Sequence, residues 1–128
     1  MRYILWIAIG GGLGAVFRYS SSKFIMQLLN TTFPAGTLFV NIVGSFIMGS
    51  FYVFINRFTV SGEIVSLFTI GMLGAFTTMS SYSLETVNLF RDGEYKYMLL
   101  NILANNLMTI TAIVIGIYLT QLFLKNIK

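Results

Sequence analysis

The sequence predicts an all-α membrane protein, four transmembrane helices with a break in the third, forming a single domain over residues 1–128. Three observations predict it. Hydrophobic residues make up 56% of the chain and charged residues only 9%, where soluble domains carry about 25% charged residues. Apolar stretches long enough to cross the hydrocarbon core, roughly 20 residues as a helix, occur four times with short connections between them. The third of these stretches is interrupted by "GMLGAFTTMSSYS" (71–83), where small and hydroxyl-bearing residues stand at a depth that lipid would fill with leucine.

The first span runs over Tyr3–Leu29. Arg2 and the apolar run after it imitate a secretory signal, but no small-residue cleavage site follows, so cleavage is not expected. "GGGLGA" (10–15) has the glycine density of a dinucleotide loop. It lies inside a span and no acidic residue follows about 20 positions on, so close helix packing is the better reading. "NTTFPA" leads into the second span, Gly36–Asn56, with Pro34 just before the helix start. "RFTVSGE" and "RDGEYK" supply the other two connections, with Gly62 and Gly93 as turn residues. The third span covers Ile64–Phe90 and the fourth Tyr97–Leu124.

Gly71, Gly74 and the run Thr77, Thr78, Ser80, Ser81, Ser83 predict two half-helices around a break near Gly74–Thr78. Irregular backbone at bilayer depth is tolerated only inside protein or along a watery cavity. A break would free carbonyl oxygens for a cation and a helix N-terminus for an anion. The alternative is a continuous helix whose hydroxyls bond back to their own carbonyls. A shift of 60 residues lays "GGLGAVFRYSSS" over "GMLGAFTTMSSY". Gly, Ala and Ser are common in membrane helices, so this echo is read as coincidence.

Charge bounds the partners. With no His and no Cys, most metal, thiol and imidazole chemistry is absent, and a net charge of +4 is too small and scattered for a nucleic-acid surface. It suits loops that meet the headgroups of a lipid bilayer. Arg2, Arg57, Lys125 and Lys128 lie on the side of the termini, and Arg18, Lys23, Arg91 and Lys96 on the other. Short-loop Lys and Arg normally orient a membrane protein. This balance gives no orientation, so two opposed copies could pair. A single topology fixed by some other feature stays open.

Polar side chains recur within the spans. Asn41, Ser45 and Gly49 share one face of the second, and Tyr97, Asn101, Asn105 and Thr109 follow the same spacing on the fourth. The stretch from Asn101 to Thr109 is about 12 Å long. Each residue taken alone fits interhelical hydrogen bonding as well as a permeation path; together they favour a path. The path offers amide and hydroxyl donors and Arg18 is nearby. Glu63, Asp92 and Glu94 fall in connections, which leaves Glu85 as the intramembrane acid. Cation and proton routes rely on such acids, so a small anion is the better fit. Tyr82, not Ser or Thr, stands three residues before Glu85, which removes a capping box. No histidine is present to activate a serine, so the chain is not read as an enzyme.

"GGGLGAVFRY" (10–19), "PAGTLFVNIVGSFIMG" (34–49) and "GMLGAFTTMSSYSLE" (71–85) occur here in the order and spacing of a known family. The chain resembles the CrcB/Fluc fluoride channels along nearly its whole length. That resemblance implies a fluoride-selective channel in the inner (plasma) membrane of a microbe. It would export fluoride passively and reduce its toxicity, working as an antiparallel, dual-topology homodimer with two pores. It implies Asn41 as the pore asparagine, Ser80 and Ser81 on a polar track, Arg18 in the vestibule, and Tyr97, Asn101 and Asn105 on the fourth helix. It further implies a structural sodium ion at the dimer centre, held by backbone carbonyls of Gly74 and Thr77. The family's usual "TTFSTFS" reads "TTMSSYS" here, placing Met79 and Tyr82 where two phenylalanine edges line the fluoride path. Some members pair different subunits, so a non-conducting or partly conducting partner in a heterodimer is the alternative. A four-helix multidrug transporter would need a carboxylate in the first span, which has none.

Overall fold

The computed structural model describes residues 2–126. Four helical spans are long and apolar enough to cross a membrane: Arg2–Leu29, Ala35–Arg57, Gly62–Arg91 and Tyr95–Lys125, and no strand occurs among the described residues. Each expected span is extended by one or two residues at one or both ends. The most apolar window of each is only 11% to 28% buried within the chain. Most of the leucine, isoleucine and phenylalanine surface therefore faces outward, as expected when the solvent is lipid.

Local chemistry sets the ends. The first helix, α1 (Arg2–Leu29), stops at Asn30, whose φ of 43° is the left-handed conformation that asparagine tolerates. Pro34 precedes α2 (Ala35–Arg57), where a missing N–H costs nothing. The third span opens with α3 (Gly62–Val65). Ser61 caps it by accepting from the Ile64 N–H, so Gly62 and Glu63 are helical and not part of a turn. Glu63 pairs with Arg2 at 2.5 Å, which ties the start of the third span to the start of the first. A π-helical stretch (Ser66–Leu73) and one short turn, α4 (Gly74–Phe76), follow. Next comes α5 (Met79–Arg91). It ends in a left-handed glycine, Gly93 at φ 77°, with Glu94 N–H bonded to Leu89 O at 2.9 Å and Gly93 N–H to Phe90 O at 3.2 Å. This pair of bonds closes the helix end and turns the chain into α6 (Tyr95–Lys125).

Two seams organise the packing: α2 against α6, and α1 against the π-helical stretch. Both depend on glycine. A β-carbon on Gly116 would strike the Phe46 carbonyl, and one on Gly49 the Ile113 carbonyl. Gly10 and Gly14 lie against the backbone of Leu67 and Met72, while Gly11 and Gly12 face open space. The "GGGLGA" run thus serves close packing, as small residues do between membrane helices. The echoed segments fold differently, since 11–22 is uninterrupted helix and 71–82 is not. Overpacking a tight contact costs about 1–3 kcal/mol. Gly116→Val should therefore lower the thermal unfolding midpoint of the detergent-solubilised protein, whereas Gly12→Ala should leave it unchanged.

Candidate functional site

Between α4 and α5 the backbone leaves the helical region. Thr77 (φ −80°, ψ 155°) and Thr78 (φ −151°, ψ 114°) are both extended. Gly44 of α2 makes room for them, because a β-carbon there would meet Thr77 and the Phe76 ring. Thr78 restarts the helix as its N-cap, its hydroxyl accepting from the Ser81 N–H at 3.2 Å. Thr77 keeps its N–H bond to the Leu73 carbonyl at 3.1 Å, but the backbone groups of Thr78 have no helical partner, and Asn41 supplies replacements. Its Oδ1 accepts from the Thr78 N–H at 2.8 Å, and its Nδ2 donates to the Thr78 carbonyl at 3.2 Å. One side chain on α2 thus serves both backbone groups of Thr78, as a neighbouring strand would.

From Asn41 a polar chain runs across three helices. Asn41 Nδ2 donates to Asn105 Oδ1 at 2.9 Å, and Asn105 Nδ2 to Asn101 Oδ1 at 2.8 Å. Asn101 Nδ2 donates to Thr86 Oγ1 at 2.9 Å, and the Thr86 hydroxyl to the Tyr82 carbonyl at 2.7 Å. Asn101 is 0% exposed, Asn105 5% and Asn41 8%. Buried amides with good partners strengthen one another and fix a single arrangement.

A cavity of about 220 Å³ opens beside this chain, lined by Asn41, Ser45, Thr78, Tyr82, Asn105 and Thr109 together with Thr77, Met79 and Asn106. It contains no charged group. Most of its donors are already engaged: both Asn41 hydrogens as above, both Asn105 hydrogens on Asn101, and the Thr77, Thr78 and Thr109 hydroxyls on protein oxygens. Asn106 Nδ2 donates to Ile102 O and to the Tyr82 hydroxyl oxygen at 3.2 Å. Among the described residues, the hydroxyl hydrogens of Tyr82 and Ser45 are the cavity's uncommitted side-chain donors.

A second cavity, about 340 Å³, shares Thr78 with the first and is lined by Arg18, Lys23, Thr37, Ser81 and Glu85 among others. Glu85 Oε1 accepts from the Thr37 hydroxyl at 2.6 Å, while Oε2 is buried without a protein partner. Thr78 lines both cavities, and its hydroxyl donates to Ser81 Oγ at 3.0 Å. The polar side chains of both cavities therefore meet at one threonine.

Residues 5–117 match the model of the family described as CrcB-like protein, Camphor Resistance (CrcB). The chain belongs to this family. Among its relatives, a protein of Magnetococcus marinus is 45% identical over 120 residues, covering 93% of this chain and 98% of the relative. Proteins of Shewanella woodyi and Shewanella sediminis are 46% and 44% identical over 116 residues, covering 91% of this chain and 94% of each relative. All three are named fluoride-specific ion channel FluC.

In this CrcB chain the residues singled out from sequence divide into groups. Asn41, Met79, Tyr82 and Asn105 surround the first cavity, and Arg18 and Ser81 line the second. Asn101 backs the first cavity through Asn105 without lining it. Tyr97 lines neither, its ring packing on Phe33 with centroids 5.8 Å apart. Ser80 is exposed, as are Gly74 and Met79, the last at 68%. Gly74 opens the turn before the extended pair, and Thr77 is its first member. The amides that would close helical bonds to their carbonyls are engaged elsewhere, Thr78 N–H on Asn41 and Ser81 N–H on the Thr78 hydroxyl. Those two carbonyl oxygens therefore lack their usual helical partners. Among the described residues no group of three or more acidic, His or Cys side chains could hold a metal.

Sequence reasoning missed Thr37, Lys23 and Asn106. Thr37 was within reach: it lies one turn before Asn41 on the same face, which extends the stripe to Thr37, Asn41 and Ser45. Asn106 carries no such signal, because its partner Tyr82 lies on another helix.

Proposed function

We propose that this chain is the subunit of a fluoride channel that lets fluoride leave a microbial cell passively through its plasma membrane. The observation that carries this reading is the first cavity, an uncharged recess within the spans that offers hydroxyl hydrogens and no carboxylate. Fluoride is a compact acceptor whose water must be replaced by close donors, and the cavity supplies them. The relatives' shared name points to the same ion. The path runs past Asn41, Met79, Ser80, Ser81, Tyr82 and Asn105, with Tyr97 and Asn101 on the fourth helix behind them. Arg18 draws anions into the vestibule, aided by Lys23. The N-terminus of α5 begins at this point, and its dipole also favours an anion.

The break at Thr77–Thr78 is the functional centre of the third helix, and the working unit is an antiparallel, dual-topology dimer. Gly74, whose carbonyl lacks its helical partner, and the Ser80 hydroxyl are exposed at a depth where lipid offers polar groups no partners; a second copy covers them. The even distribution of Lys and Arg supports insertion in both orientations. Gly74 and Thr77 carbonyls from the two copies would together hold a sodium ion at the centre. Two oxygens per chain are too few for such a hard cation, and four approach a complete shell. The bound ion would pin the two broken helices together, and the permeating anion would not touch it.

Liposomes containing only this purified chain and loaded with fluoride test the reading. A fluoride electrode should record release well above protein-free vesicles, with chloride-loaded vesicles silent. Absence of release, or equal chloride release, would overturn it.

A further inference from the structure

We propose that the ends of α2 and α6 form a binding site for the phosphodiester headgroup of an anionic phospholipid, held between Arg57 and Lys125. Two adjoining cavities of about 200 and 340 Å³ share Val53, Arg57 and Gln121; one adds Leu124 and Lys125, the other Tyr52 and Asn56.

Comparison with the other basic recesses singles this one out. Arg2 shares its cavity with Glu63, to which it is paired. Arg18 and Lys23 share theirs with Glu85. Among the described residues, the recess of Arg57 and Lys125 contains no carboxylate and neither cation makes an ion pair. Each cation lies in the last turn of its helix, where the dipole favours positive charge. That accounts for each separately. It does not account for two like charges turned to one hollow beside two amide side chains. Like charges in a shared recess repel, and an anion between them reverses the sign of that interaction.

The occupant follows from position. Both helices cross the membrane, so their ends lie at headgroup depth, where phosphodiesters are concentrated. Basic pockets between transmembrane helices are suited to anionic headgroups. Gln121 and Asn56 can donate to phosphate oxygens, and Val53 and Leu124 give the glycerol end an apolar floor. The recess is separate from the proposed fluoride path. Between them, Gly49 on Ile113 and Gly116 on Phe46 close the α2–α6 seam backbone to backbone.

The test uses the full-length purified protein in neutral detergent, with phosphatidylglycerol, phosphatidylcholine and inorganic phosphate added in separate arms. Native mass spectrometry should retain phosphatidylglycerol in preference to phosphatidylcholine, and phosphatidylglycerol alone should raise the thermal midpoint. Arg57→Gln and Lys125→Gln should each weaken retention about fivefold, and Arg91→Gln at the opposite side should not. Retention by the unaltered protein should also fall as salt is raised, a readout independent of whether the variants fold. Three results would each overturn the proposal: equal retention of both lipids, retention insensitive to salt, or the same stabilisation by inorganic phosphate, which would make it a free-anion site. Fluoride release from phosphatidylcholine vesicles is a separate measurement, so failure here leaves the channel reading standing.

Discussion

Asn41→Asp is expected to reduce fluoride release from liposomes by at least about 100-fold. The change looks small, one nitrogen for one oxygen, but Asn41 makes three bonds in a buried place. Two of them are donations, to the Thr78 carbonyl at 3.2 Å and to Asn105 Oδ1 at 2.9 Å. A carboxylate can make neither, and it turns a negative oxygen toward two other acceptors. Each buried group left unsatisfied costs about 1–3 kcal/mol, and 1.4 kcal/mol is a factor of ten. The new charge also faces the cavity that fluoride must enter. The third bond, from the Thr78 N–H at 2.8 Å, survives and even strengthens with a charged acceptor. The extended pair should therefore persist and the variant remain helical. Circular dichroism and size-exclusion profiles close to those of the unaltered protein, together with lost release, are the expected pair of results. Undiminished release from a well-folded variant would remove Asn41 from the path.

The unusual composition around Thr77 and Thr78 was legible in sequence, but the partners of these two extended residues were not. Small and hydroxyl residues in an apolar span announce that something other than a regular helix is wanted there, and hydropathy alone gave the spans to within two residues. That the freed N–H of Thr78 goes to a side chain 37 positions earlier depends on how α2 is rotated about its axis, which a one-dimensional pattern does not encode.

The stripe on the fourth helix shows the same limit in detail. Residues four apart advance about 40° beyond a full turn, so from Tyr97 to Thr109 the stripe drifts by about 120°. Its middle members, Asn101 and Asn105, stay buried. Tyr97, at the start, has turned toward Phe33 and away from both cavities. The missed Thr37–Glu85 and Tyr82–Asn106 pairs likewise join different helices. Glu85 stood out as the acid inside the spans, yet its partner could be found only once α2 and α5 were side by side.

Tyr82→Phe is the second large effect expected, and it separates the two things this residue could contribute. The ring is 8% exposed and packed; phenylalanine fills the same space, so folding should be unchanged. What disappears is one of the two hydroxyl hydrogens in the first cavity not already given to protein. Asn106 donates to the hydroxyl oxygen at 3.2 Å, which leaves the phenolic hydrogen free for an acceptor in the cavity. A hydrogen bond to a charged group contributes about 1.5–3 kcal/mol, so the fluoride concentration giving half-maximal release should rise roughly 10- to 100-fold. Asn106→Leu should move it in the same direction, and by less, because the hydroxyl remains but is no longer oriented. In the Tyr82→Phe background Asn106→Leu should do nothing further, a coupling expected only if the asparagine acts through the hydroxyl. Should Tyr82→Phe release fluoride with unaltered half-saturation, the ion is meeting the positive ring edge that both residues share. Ser45 would then be the hydroxyl donor left to face it.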